Sequence, residues 1–273
     1  MKSILSLLFM LQGIFLYSQN GLPPNAGARG AAMGNTSVAF QDINSAFSNP
    51  AGLATIPRWG VTAMGEQRFL IPEIRSVAAA GAVASKAGVF GVQFHYFGLE
   101  AYNEQRLGLL YARQIFRDIY LGAGFDLLNT RIPDYGSQLN ATGNIGLQAN
   151  FAEPLWLGFH LFNPFRIQRN NGEYFPTLMK AGFSYQASEK VLLSGEAEKD
   201  IDFPLRWKGG LEYRLLEALF LRAGFSTQPV QGTFGAGIDL KKGLRLDFAF
   251  QWHQILGWTP AFSAVYQAPE SQN

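Results

Sequence analysis

The residues in this 273-residue chain whose types could do chemistry are few and scattered. Its three histidines, His95, His160 and His253, stand far apart, and none belongs to a His-x-x-x-His spacing that would set two ring nitrogens on one metal. Nucleophilic catalysis needs a hydroxyl or thiol within hydrogen-bond reach of a base, which isolated histidines and common serines do not establish. No catalytic residue, metal ligand or cofactor is therefore assigned, and the chain reads as non-enzymatic. The denser chemistry is charge: Glu196, Glu198, Arg206, Lys208, Glu212, Arg214, Arg222, Asp239, Arg245 and Asp247 fall at alternate positions of short runs. Alternate residues share one face of a strand, and opposite charges on neighbouring strands pair. The expectation is an ion-paired wall, with a polar conduction track as the alternative. A second group is apolar: Phe69, Leu70, Ile71, Phe165, Phe175 and Trp258 cluster in predicted loops and are candidate contacts for a hydrophobic ligand or a partner.

These side chains need strands to place them. Leu244, Leu246, Phe248, Phe250 and Trp252 alternate with Arg245, Asp247, Ala249, Gln251 and His253. Leu205, Trp207, Gly209, Leu211 and Tyr213 alternate likewise with Arg206, Lys208, Gly210, Glu212 and Arg214. The pattern predicts fourteen strands, at 58–68, 75–84, 88–98, 104–115, 118–130, 140–152, 154–162, 177–187, 190–199, 205–215, 218–227, 232–241, 243–253 and 258–267. Most match the ~9–11 residues of a tilted transmembrane strand, and an even number suits a closed bacterial barrel. Every second connection is a tight turn, such as Ser188-Glu189 or Lys242-Gly243, whereas the others, such as 131–139 and 163–176, are longer. Short turns at one end and longer loops at the other are the layout of an outer-membrane barrel. Trp59, Tyr111, Tyr120, Trp207, Trp252, Trp258 and Tyr266 near strand ends fit its aromatic girdles. The fold expected is all-β: a 14-stranded antiparallel transmembrane barrel. A soluble sandwich is the alternative.

Composition agrees. The chain is 48% hydrophobic and 15% charged, with a net charge of +2, 30 glycines and no cysteine. Disorder needs lower hydrophobicity and more net charge, disulfide scaffolds need cysteine, and 22 Lys+Arg against 20 Asp+Glu offers no basic excess for nucleic acid. Lys2, the apolar stretch 4–17 and Ser18 read as a cleaved signal peptide over 1–18. The predicted barrel spans 58–267, followed by a polar tail at 268–273.

Residues 19–57 do not alternate. Small residues dominate, Asp42 and Asn44 can cap a short helix through Phe47 or Ser48, and Asn49-Pro50 stops it. The segment is expected to be a hatch inside the barrel, with Asn49-Pro50 a rigid stop or, alternatively, a movable gate. Gly27-Ala28-Arg29-Gly30-Ala31-Ala32-Met33-Gly34, Val38-Ala39, Asp42, Ser45 and Asn49-Pro50-Ala51-Gly52-Leu53-Ala54 resemble the start of the FadL-like outer-membrane barrels, most closely their PorV/PorQ-like branch in Bacteroidetes-type bacteria. That resemblance implies a lumenal hatch carrying Arg29, Met33, Gly34, Asp42, Asn49, Pro50 and Gly52. It also implies a place in a Gram-negative outer membrane and an accessory role beside secretion-system proteins of type IX secretion. The alternative it offers is hatch-gated uptake of hydrophobic small molecules such as long-chain fatty acids. A third reading is a structural barrel without a passenger. The partners expected are outer-membrane lipid and either secretion proteins or an apolar small molecule, not nucleic acid.

Overall fold

The computed structural model describes residues 24–133, 136–169, 172–240 and 243–269. The signal-peptide reading and the last four residues of the tail lie outside them. Fourteen strands form one closed antiparallel barrel in chain order. They are β1 Trp59–Gln67, β2 Arg75–Ser85, β3 Gly88–Leu99, β4 Tyr102–Phe116, β5 Ile119–Ile132, β6 Gly136–Ala152, β7 Leu155–Phe162, β8 Leu178–Ser188, β9 Val191–Asp200, β10 Arg206–Leu216, β11 Leu219–Ser226, β12 Gln231–Leu240, β13 Leu244–His253 and β14 Gly257–Gln267. β14 closes on β1, from Gly60 opposite Gln267 to Glu66 opposite Ala261. Closure leaves no unpaired edge, the condition for a sheet to stand in lipid.

The strands form where alternation places them, with differences at the loop ends. β5 runs to Ile132 and β6 starts at Gly136 (φ 91°), so only three residues separate the strands where a loop at 131–139 is expected. The strand ends there carry Thr130, Arg131, Ser137, Gln138 and Asn140. Backbone pairing continues into this mostly polar stretch, where only Ile132 and Leu139 are exposed apolar residues. β14 starts one residue earlier than expected, and Trp258 stands in the wall, as the predicted strand 258–267 has it, rather than among the loop contacts.

Along each strand one face is exposed and apolar, the other buried and polar or small. On β13 Phe248, Phe250 and Trp252 are exposed while Asp247, Ala249 and Gln251 are buried. In lipid the exposed face is the hydrocarbon-facing band. Trp59 against Tyr266 (ring centroids 5.0 Å) and Tyr120 against Trp156 (5.3 Å) mark its short-turn edge. Trp258 packs edge-on against Phe234 toward the other rim. Phe248→Arg, near the middle of β13, is expected to destabilise the barrel by about 2–4 kcal/mol, read by denaturant unfolding in lipid vesicles.

The interior is packed by the chain's own N-terminal segment. Helix α1 (Gly27–Ala32) and two 3-10 helices, Ile43–Phe47 and Pro50–Thr55, lie almost wholly buried inside the barrel. Asp42 caps the first 3-10 helix by accepting from Asn44 N–H (2.9 Å). Asn44 is not a second cap; its Oδ1 accepts from Thr62 of β1 (2.9 Å). Asn49-Pro50 does more than end that helix: Asn49 caps the next one, with Pro50 in its first turn. Toward the short-turn end Ile43, Phe47 and Leu53 pack on the inward alanines of β2, Ala78, Ala80 and Ala82.

Candidate functional site: the hatch and the barrel lumen

Two devices hold the hatch. One is a pad of inward glycines. A Cβ at Gly122 would fall closer than 3.0 Å to the backbone of Pro50 and Ala51, at Gly224 to that of Met33 and Gly34, and at Gly158 to that of Val38. The wall is bare where the hatch main chain touches it. Gly34 (φ 68°) is a position where a side chain would be strained and would also strike Gly209 and Phe225.

The other device is polar. Main-chain groups inside the barrel cannot all bond one another, so wall side chains complete them. Ala28 N–H donates to Ser263 Oγ (3.0 Å), and Ser37 and Val38 N–H both donate to Glu196 (2.8 and 2.9 Å). Gln148 donates to the carbonyls of Val38 and Phe40 (3.0 and 2.9 Å). Thr233 Oγ1 accepts from Gly34 N–H and donates to Ala32 O. Asn49 donates to Val38 O (2.7 Å) and to Leu147 O and Phe159 O of the wall (both 3.2 Å). Asn49-Pro50 is thus pinned in this conformation.

Arg29 forms the centre of charge. It donates to Glu212 from Nε (3.0 Å) and Nη2 (2.9 Å) and to Asp42 (2.8 Å), and its guanidinium lies 4.6 Å over the Phe40 ring. Glu212 also accepts from Arg222, whose Nη1 donates to Asp247 (2.7 Å). Beside this chain Lys208 pairs with Glu196 (2.9 Å) and Glu198 (2.7 Å) and reaches Asn35 O (3.2 Å). Arg206 meets Glu198 at 3.4 Å, and Arg245 pairs with Asp239.

The sequence-predicted wall residues therefore divide. Glu196, Lys208 and Glu212 touch the hatch directly, Arg222 and Asp247 back them, and Glu198, Arg206 and Arg245 stand at the flanks. The hatch residues Arg29, Met33, Gly34, Asp42, Asn49, Pro50 and Gly52 all serve docking or capping. A Cβ on Gly52 would strike the carbonyl of Phe40. The loop residues are not brought together. Leu70, Ile71 and Phe165 are exposed, and Phe69 donates its N–H to Thr259 (3.0 Å) beside His253. Trp258 faces outward from β14. Phe175, expected as an exposed contact, is 1% exposed among Leu128, Phe162 and Leu178, because its loop folds inward.

Sequence reasoning missed a hub in the other half of the lumen. Asp126 accepts from Arg106 Nε (2.7 Å), Asn144 (2.6 Å) and Gln93 (3.3 Å). Its signal was present, since Arg106 and Asp126 occupy inward phases of the paired strands β4 and β5. Ser76 and His95 share a 2.7 Å hydrogen bond, but His95 Nδ1 has no partner and Arg106 and Arg68 are its charged neighbours. A Ser–His–Asp arrangement needs a carboxylate orienting the ring, and none does so here. Among the described residues no three His, Cys, Asp or Glu side chains gather as a metal site, and no helix is long and apolar enough to cross a membrane.

A closed fourteen-stranded antiparallel barrel with an apolar outer band and a lumen packed by its own N-terminal segment has the fold of Gram-negative outer-membrane barrels. The solved structures it matches include monoaromatic-hydrocarbon transporters. It is similar to the Ralstonia pickettii toluene transporter TbuX (TM-score 0.71, 13% identity, covering 92% of this chain and 100% of that one). It is similar also to the Pseudomonas putida toluene transporter TodX (0.64, 14%, 88% and 96%) and to a Pseudomonas aeruginosa FadL homologue (0.64, 12%, 89% and 98%). No protein-family model matches the chain, and no curated protein matches its sequence.

Proposed function

We propose that this protein is a non-enzymatic outer-membrane barrel that admits hydrophobic small molecules through a lumen gated by its hatch. The observation that carries this reading is the likeness of the whole barrel to solved structures that include two toluene transporters. Geometry supports it in kind. Ion pairs, main-chain bonds and glycine contacts fill the lumen with protein, unlike the water-filled channel of a porin, so passage requires the hatch to yield. The protein would reside in a Gram-negative outer membrane after export.

The PorV/PorQ-like accessory role in type IX secretion is the second reading, favoured only by the hatch sequence from Gly27 to Ala54. Gentle solubilisation of native outer membranes followed by purification separates the two. The uptake reading expects apolar small molecules in the organic extract of the pure barrel, identified by mass spectrometry. Stoichiometric recovery of secretion-system proteins with no such molecule would overturn it in favour of the accessory role.

A further inference from the structure

Residues 163–177, between β7 and β8, are a far longer connection than the turns on either side. Loops above about 12–15 residues are uncommon and are usually functional when ordered. The described residues of this one, 163–169 and 172–177, are cross-bonded. Phe175 N–H donates to Ile167 O (2.9 Å), Arg169 N–H to Glu173 O (2.7 Å), and Gln168 bridges Tyr174. These contacts pair 167–169 with 173–175 as two short arms, which fold into the mouth of the barrel.

Asn163 ties the segment's base, donating to Phe175 O (3.0 Å) and accepting from Thr142 Oγ1 (2.9 Å) and Ile167 N–H (3.2 Å), and two further side chains seat the arms. Phe175 fills a niche formed by Leu128, Phe162 and Leu178, an apolar spot in an otherwise polar wall. Arg169 reaches across to β4, donating to Glu104 (2.6 Å) and to the Tyr102 hydroxyl (3.2 Å). β4 stands three strand spacings from β7, about 14 Å along the wall, so the arms cover the inner faces of β5 and β6. The attachment at β4 is a single side chain, and it is only half satisfied: Glu104 Oε2 and Arg169 Nε are buried without partners. A buried pair with unmet groups gains less than a complete one. At its base Arg166 (φ 48°) holds the left-handed region, a strained conformation for an arginine and one found at switch segments, whereas Asn163 (φ 53°) takes it at little cost. Neither contact involves the hatch.

We propose that residues 163–169 and 172–177 form a lid over the loop-side mouth, latched by Arg169 to Glu104 and seated by Phe175, and that it opens independently of the hatch. The absence of cysteine makes the test clean. Leu128→Cys places one thiol beneath Phe175, and Thr130→Cys, whose hydroxyl has no partner among the described residues, places one on β5 opposite Glu104 as a second reporter should the first fail to fold. Each full-length variant, reconstituted in lipid vesicles, is exposed to a small anionic methanethiosulfonate. With the latch intact the thiol is expected to be protected. Arg169→Gln should raise its labelling rate at least tenfold, and exchanging the charges (Arg169→Glu with Glu104→Arg) should restore protection. Ala31→Cys in α1 should stay unlabelled throughout. Equal rates with and without the latch would overturn the lid, and so would parallel labelling of Ala31→Cys, which would mean general loosening. The readout requires no transported molecule, so it stands or falls apart from the uptake reading.

Discussion

Valine at Gly122 or Gly224 is expected to turn a closed barrel into an open one. At both positions the new Cβ meets hatch main chain, Pro50 and Ala51 in one case and Met33 and Gly34 in the other. A flexible side-chain end could swing aside; a backbone held by Asn49, Gln148 and Thr233 cannot without leaving its seat. The barrel itself is closed by fourteen ladders that do not depend on the hatch, so it should survive as a heat-modifiable band on gels. Planar-bilayer recordings should show a stable conductance in Gly122→Val and Gly224→Val that the parent lacks. Gly65→Val and Gly232→Val, where an added Cβ meets nothing within 4 Å, should stay silent. A folded but silent Gly122→Val would mean that the hatch is not seated on that glycine.

The second large effect is expected at Arg29. Its guanidinium joins Asp42 of the hatch to Glu212 of β10 in a buried setting. Removing one partner of a buried pair strands the other and typically costs about 3–5 kcal/mol, here taken from hatch docking. At about 1.4 kcal/mol per tenfold, Arg29→Leu should raise the undocked population by a factor of hundreds or more. A broad-specificity protease applied to the reconstituted barrel should cut within residues 24–57 correspondingly faster. Arg245→Leu is the comparison. Arg245 and Asp239 side chains are 26% and 38% exposed, and such a pair contributes about 0–1 kcal/mol, so hatch cleavage should hardly change. Equal cleavage in the two variants would show that the Arg29 contact does not hold the hatch.

Much of this architecture was readable because period two is a local property. The faces of β10 and β13 follow from a few adjacent residues, and so does the division of Trp207 and Phe248 from Lys208 and Asp247. Partners were less readable. The alternating charges indicated a paired wall, but Arg29 and Glu212 are 183 positions apart, and no local pattern links them. Glycine at 122, 158 and 224 looks like any strand glycine until the hatch backbone lies against it. Capping chemistry located the turn after Asp42, yet α1, built from Gly27 to Ala32, has no capping side chain to announce it. Phe175 and Trp258 show the limit most plainly. Both are aromatic residues near loop ends, but one turns inward with its loop and the other stands in the wall. Composition carries no sign of that choice.

A lumen filled by its own hatch should pass apolar molecules while refusing water-soluble ones. The most direct measurement is paired flux across vesicles carrying the purified protein, with a single-ring hydrocarbon and a sugar of comparable size as tracers, corrected for protein-free vesicles. Protein-dependent entry of the hydrocarbon is expected, with no entry of the sugar, and entry of both once Gly122→Val displaces the hatch. Sugar entry through the unmodified protein, or no protein-dependent entry of the hydrocarbon, would contradict it.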